Sequence, residues 1–170
     1  MRKLNYNWDG LSRRNKTSII TDCLMHHILL FNHNLKVGLK EINVNIGKGK
    51  PNLRIDVLEI NKKKNVLVGY EIKSCIEDFR TDKKWENYLD LVNQLYFVFD
   101  KETFENHEEE ILEKIKKRAG IYIYNPNAKW FSLKQGVKFT ELPEKTEEFY
   151  RTILFNYLFR NALNEVSNDR

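Results

Sequence analysis

The 170-residue sequence predicts one α/β domain on a mixed sheet, with elements in the order αβββαβαβ(β)α. Three observations carry this. Strand-like segments between residues 41 and 73, separated by short polar turns, read as an antiparallel meander. After Lys73 the period becomes helical, and strands and helices then alternate; such runs pair strands in parallel through crossovers. The length suits one domain, with no repeat or linker dividing it. The expected division is an N-terminal arm over 1–14, a core over 16–125 and a C-terminal helix over 144–163.

The arm is polar, ends in Arg13-Arg14, and carries Trp8 as the residue that docks it. A helix is predicted over 16–32. Ile20, Cys23, Leu24, His27, Ile28 and Phe31 recur at steps of three and four, and Ser12 or Asn15 is the cap. Strict alternation in Glu41-Ile42-Asn43-Val44-Asn45-Ile46 predicts the first strand, and the basic turn 47–51 follows. Strands over 53–60 and 66–73 flank the turn 61–65. Trp85, Tyr88, Leu89 and Val92 sit at i, i+3, i+4 and i+7, the spacing of a helix packed by those residues. Leu95 to Phe99 is a short apolar strand, and 102–118 reads as one charged helix with Ile111, Leu112 and Ile115 inward. Its Glu108-Glu109-Glu110 run is a solvated helix start. Strands over 120–124 and 129–133 enclose the turn 125–127, and the tail helix turns Phe149, Tyr150, Ile153, Leu154, Tyr157 and Leu158 inward.

Lys and Arg outnumber Asp and Glu by 29 to 24, a mild basic excess that permits a polyanionic partner. Two cysteines, Cys23 and Cys75, suit a reduced cytoplasmic protein without a disulfide framework. No apolar run approaches the roughly 20 residues of a membrane span. Met1-Arg2-Lys3 leads into polar sequence, so neither a membrane nor a secreted form is expected. Cys23, His26 and His27 crowd one helix, but no second Cys/His pair completes a zinc site, and packing explains Cys23 and His27.

The chemistry-bearing segment is Arg54-Ile55-Asp56-Val57 with Gly69-Tyr70-Glu71-Ile72-Lys73-Ser74. Glu71 and Lys73 share one face of an otherwise apolar strand, and Asp56 interrupts another. Charge in such strands is costly unless paired or used. A hairpin sets Asp56 beside Glu71, and two converging carboxylates suit a hard cation such as Mg²⁺. A salt-bridged hairpin face is the structural alternative.

Asp56 followed by Glu71-Ile72-Lys73 resembles the motif of the PD-(D/E)XK nuclease superfamily, with Ile55 where that superfamily often has Pro. Residues 54–57, 70–74, 78–88 (Asp-Phe-Arg-Thr-Asp-Lys-Lys-Trp-Glu-Asn-Tyr), 95–97 and 119–121 are similar to the MmcB-like family, regarded as DNA-repair endonucleases. The resemblance covers roughly 40–125 and implies a restriction-endonuclease-like core and metal-dependent hydrolysis of DNA. It implies Mg²⁺ or Mn²⁺ held by Asp56, Glu71 and the Ile72 carbonyl, with Glu41 either a further ligand or simply solvated. Lys73 is the expected activator of water or stabiliser of the transition state. Gln94 and Ser74 are candidate auxiliaries. Lys83, Lys84 and the turn lysines Lys62, Lys63 and Lys64 are candidate phosphate contacts. DNA is the expected partner, a homodimer is one expected state, and no small-molecule cofactor is expected. The rival readings are a non-cleaving nucleic-acid-binding module and a dimeric junction-resolving or restriction nuclease.

Overall fold

In the computed structural model, which describes residues 7–30, 36–44, 53–61, 63, 64, 66–142, 155 and 157, the first helix starts at its cap. The Ser12 hydroxyl accepts the Asn15 N–H at 3.3 Å, so α1 runs Arg13–Leu30. Ile20, Leu24 and Ile28 form its buried stripe. Cys23 and His27 are half-buried and packed, as expected. The Cys23 sulfur lies 3.4 Å from the Tyr124 hydroxyl, and the His27 ring stands 5.3 Å from that of Phe131. Trp8 docks the arm, buried 5.6 Å from the Tyr124 ring with the Lys16 ammonium over its face.

The sheet has six strands in sequential order: β1 (Lys36–Val44), β2 (Leu53–Asn61), β3 (Val66–Lys73), β4 (Gln94–Asp100), β5 (Gly120–Asn125) and β6 (Trp130–Gln135). The first three pair antiparallel, β3–β4 and β4–β5 parallel, and β5–β6 antiparallel. This is the mixed sheet the sequence predicts, and it is compatible with a restriction-endonuclease-like core. The two parallel connections step across the sheet in the same direction, so right-handed crossovers deliver their helices to one face. That face carries Leu58, Phe97, Phe99 and Ile121 against Phe79, Trp85, Phe104 and Ile111. The opposite face carries Val57, Tyr70, Ile72, Tyr96 and Val98 against α1.

Three element boundaries differ from expectation. The stretch after Lys73 holds two short helices, α2 (Ile76–Thr81) and a 3₁₀ helix (Trp85–Asp90), where one helix through Val92 is predicted. The charged helix 102–118 is two: α3 (Lys101–Asn106), capped by the Asp100 carboxylate, and α4 (Glu108–Ile115), divided by the non-helical His107. β1 begins at Lys36, five residues earlier than predicted, and Gly38 in this added stretch lies under Met25 of α1. Of the predicted tail helix, Phe155 and Tyr157 are helical, and Tyr157 packs on the main core; the rest lies outside the described residues. No helix among the described residues is long and apolar enough to cross a membrane.

Two details lock the sheet. Asn93, buried just before β4, accepts the Leu67 N–H at 2.8 Å and donates to the Thr140 carbonyl at 3.0 Å. Gly120 opens β5 under the Tyr96 ring, where a Cβ would stand 2.2 Å from a ring carbon.

Candidate metal and phosphate site

The β2–β3 ladder ends at Val57–Tyr70. Extending its register by one would place Asp56 opposite Glu71, as the hairpin reading requires. Side chains take over there. The Ile72 N–H donates to the Asp56 carboxylate at 2.9 Å, and the Asp56 N–H donates to the Glu71 carboxylate at 3.4 Å. Both carboxylates therefore lie in the seam between the strands. A strand residue's N–H and C=O point to the same side, so the Ile72 carbonyl also faces this seam, beyond the last ladder pair.

The same level is irregular in β1. Pairing to β2 skips from Lys40–Val57 to Ile42–Ile55, and Glu41 has a φ of 50°. A left-handed backbone costs a residue with a Cβ roughly 1–2 kcal/mol. The pleat also changes phase here. Leu39 and Ile42, three apart, both reach the core under α2–α4, and so do Ile55 and Leu58. In a regular strand, residues three apart face opposite sides.

Lys73 is buried on the same face as Glu71. Its ammonium lies 3.6 Å from Glu71 but 2.6 Å from Asp82, and 5.9 Å from the centre of the Phe97 ring. Asp82 follows α2 directly, and its second oxygen accepts the Lys84 N–H at 3.0 Å. That loop is braced from α4. The Lys114 ammonium bonds the carbonyls of Phe79, Arg80 and Asp82, while Arg80 makes a two-pronged pair with Glu110, both contacts 2.7 Å. From the other side, Arg13 of α1 pairs with Asp78.

The electrostatics follow from this crowding. Burial, then repulsion from Asp56, push the Glu71 carboxyl up to about 8, against an opposing pull from Lys73. Burial also raises Asp56, against the Ile72 N–H and Lys73. The Tyr88 hydroxyl, bonded to the Arg54 carbonyl at 3.1 Å, is pushed up by burial and by Glu71. A buried carboxylate and a half-buried one thus share a seam while the nearest cation leans toward a third. The donors are hard oxygens, and two carboxylates, a carbonyl and waters are a set Mg²⁺ or Mn²⁺ accepts, so the residues fit that ion.

The other expected residues divide. Glu41 stands at the level of Asp56 and its charge acts on Asp56, but its side chain is exposed; among the described residues, no three acidic, His or Cys side chains gather as a metal cluster. Lys83 and Lys84 are exposed beside Asp82, at the rim of the site. The structure does not bring Lys63 and Lys64 there. They cap the far end of the β2–β3 hairpin, five residues and about 17 Å from Asp56 at the usual strand rise. Lys62 lies outside the described residues. Gln94 is level with Val68, three residues short of Phe97, the partner of Glu71, and donates to the Val137 carbonyl at 3.0 Å. Ser74 shares its hydroxyl with Thr17 at 2.8 Å and so anchors α1 rather than joining the carboxylates. Sequence reasoning missed Asp82 and Lys114. Asp82 sits inside the Asp-Phe-Arg-Thr-Asp-Lys-Lys-Trp block, but nothing in its spacing pairs it with Lys73.

Comparison with known proteins gives a fold and a family. No curated protein matches the chain. Its fold is shared with a solved structure, the SPO1766 protein of unknown function from Silicibacter pomeroyi. That protein has a TM-score of 0.65 and 19% identity, with 93% of this chain and 95% of that one covered. Residues 16–112, more than half of the chain, match the family described as DNA repair protein MmcB-like. That segment contains most of α1, the meander with Asp56, Glu71 and Lys73, and the α2 block that holds Asp82, and by it the chain belongs to the MmcB-like DNA repair family.

Proposed function

We propose that this protein is a metal-dependent nuclease of the PD-(D/E)XK type that hydrolyses phosphodiester bonds in DNA. The observation that carries this reading is the seam at the end of the β2–β3 ladder, where Asp56 and Glu71 converge with Lys73 on one face. Membership of a DNA repair family supplies the substrate class.

Asp56, Glu71 and the Ile72 carbonyl would hold Mg²⁺ or Mn²⁺, with Glu41 adding negative charge at the rim. The ion's chemistry is to polarise the scissile phosphate and lower the pKa of water. The chain's own residues do the rest. The Ile72 N–H fixes the Asp56 carboxylate by a 2.9 Å bond, so the ligand arrives oriented. The Lys73 ammonium donates toward the phosphate oxygens that gain charge as the water oxygen bonds to phosphorus and the ester P–O bond breaks. The proton from water leaves to solvent, and the departing oxygen takes up a proton from solvent and is released as a hydroxyl. Lys83 and Lys84, at the rim, bind backbone phosphates without regard to sequence.

The test is a cleavage panel of single-stranded, duplex, flapped and branched DNA with Mg²⁺ or Mn²⁺, with Asp56→Ala as control. Cleavage by the wild type and none by Asp56→Ala is expected, together with loss of Mn²⁺ binding by calorimetry in the variant. A wild type that binds DNA but cuts nothing with either metal refutes the nuclease reading in favour of a binding module. Activity confined to junctions or to a dimer selects the junction-resolving alternative.

A further inference from the structure

Lys73 and Glu71 lie on one strand, two residues apart, on one buried face. Left to themselves, a buried ammonium and carboxylate at this spacing close to contact, because each lowers the other's desolvation cost. Here that ion pair is a long one, 3.6 Å, whereas Asp82 holds the same ammonium at 2.6 Å. Asp82 is itself held in place. Its other oxygen takes the Lys84 N–H, and its carbonyl and those of Phe79 and Arg80 are gripped by Lys114. Arg80 and Asp78, on the helix leading to it, are tied to α4 and α1.

We propose that Asp82 is a positioning residue that draws the Lys73 ammonium away from close contact with Glu71, so that Glu71 remains available to a divalent cation while Lys73 stays poised beside it. This rests on the metal reading of the site given above. The two cations of the working site are thereby divided between two anionic stations: Lys73 at Asp82, and the metal at Asp56 and Glu71. Without Asp82, Lys73 collapses onto Glu71 and competes with the metal for the same carboxylate.

The test is calorimetric titration of Mn²⁺ into the full chain, alone and as Asp82→Asn, Lys73→Met and the double variant, with melting curves for each. Asp82→Asn should bind Mn²⁺ on the order of 10–100-fold more weakly, the usual cost of disturbing a group that supports a metal ligand. Lys73→Met should bind at least as well as wild type. The double variant should bind like Lys73→Met, because removing the competitor rescues the site, and a merely structural role for Asp82 would show no such rescue. Unchanged affinity in Asp82→Asn, or no rescue in the double variant, overturns the proposal. Should Asp82→Asn fail to fold, acetylation of Lys73 in the wild type by acetic anhydride, read by mass spectrometry, decides instead. Equal labelling with and without Mn²⁺ supports Lys73 at Asp82, and a large increase with Mn²⁺ places it on Glu71 and overturns the proposal. If wild type binds no Mn²⁺ that Asp56→Ala abolishes, the metal reading itself falls and Asp82's role with it. If that binding is present and indifferent to Asp82, only the role of Asp82 falls.

Discussion

Replacing Glu71 by Gln should make the metal-free protein more stable at neutral and alkaline pH. The Glu71 carboxyl is pushed from an ordinary 4.5 up to about 8 in the folded protein. The folded state therefore holds a proton that the unfolded state gives up. The carboxyl's contribution to stability is complete below about 4.5 and is lost as pH rises toward about 8. At roughly 1.36 kcal/mol per pH unit, the loss at pH 7 is about 3 kcal/mol. Gln is not titratable and removes that loss, but it weakens the contacts to the Asp56 N–H at 3.4 Å and to Lys73 at 3.6 Å. The net gain should be about 1–2 kcal/mol, a few degrees in Tm. The assay is denaturant or thermal unfolding in EDTA from pH 5 to 8.5. Wild type should lose stability across the range, Glu71→Gln should stay nearly flat on that background, and the two should nearly meet at pH 5. Mn²⁺ should then stabilise the wild type and leave the variant unmoved. Lower stability of Glu71→Gln at pH 8 would show that Glu71 serves as the partner in a structural salt bridge, and the argument from crowded carboxylates would be wrong.

Lys73→Ala should cleave about 100-fold or more slowly, while DNA affinity in Ca²⁺ changes little, because one electrostatic contact to the transition state is lost; stopped reactions on gels and anisotropy titrations measure the two. Lys83→Ala with Lys84→Ala should do the reverse, with weaker binding and a shallower slope of log affinity against log salt by up to about two. Gly120→Ala should cost about 2–3 kcal/mol in unfolding experiments, since its Cβ would stand 2.2 Å from the Tyr96 ring and 2.9 Å from the Gln135 carbonyl oxygen.

The sheet was legible because its strands are long apolar or alternating runs whose period does not depend on partners. The β2–β3 hairpin was legible for the same reason, and it set Asp56 opposite Glu71 fifteen residues away. α2, six residues long, is too short for a helical period to declare itself beside the Trp85 stripe. The break at His107 carries no Gly or Pro to mark it in the sequence. Alternation within one strand does not tell how that strand is registered against its neighbour, so the sequence did not show that Gln94, a candidate auxiliary, falls level with Val68 on the face of Tyr96 and Val98, opposite to Glu71. Asp82 and Lys114 were invisible because their partners come from other elements, nine residues away for Asp82 and more than thirty for Lys114.

The change of pleat phase at Glu41 and Asp56 has a consequence for comparing relatives. Because Leu39 with Ile42, and Ile55 with Leu58, must each span three residues to stay in the same core, neither interval tolerates a gap or an insertion. A one-residue indel in one strand alone would slip its pairing with the other by one residue beyond the break and carry Asp56 off the seam. Length variation among homologous chains should instead gather in the connection between Val44 and Leu53 and at the Asn61–Val66 tip. An alignment that opens a gap between 39 and 42 or between 55 and 58 has misplaced its first acidic residue.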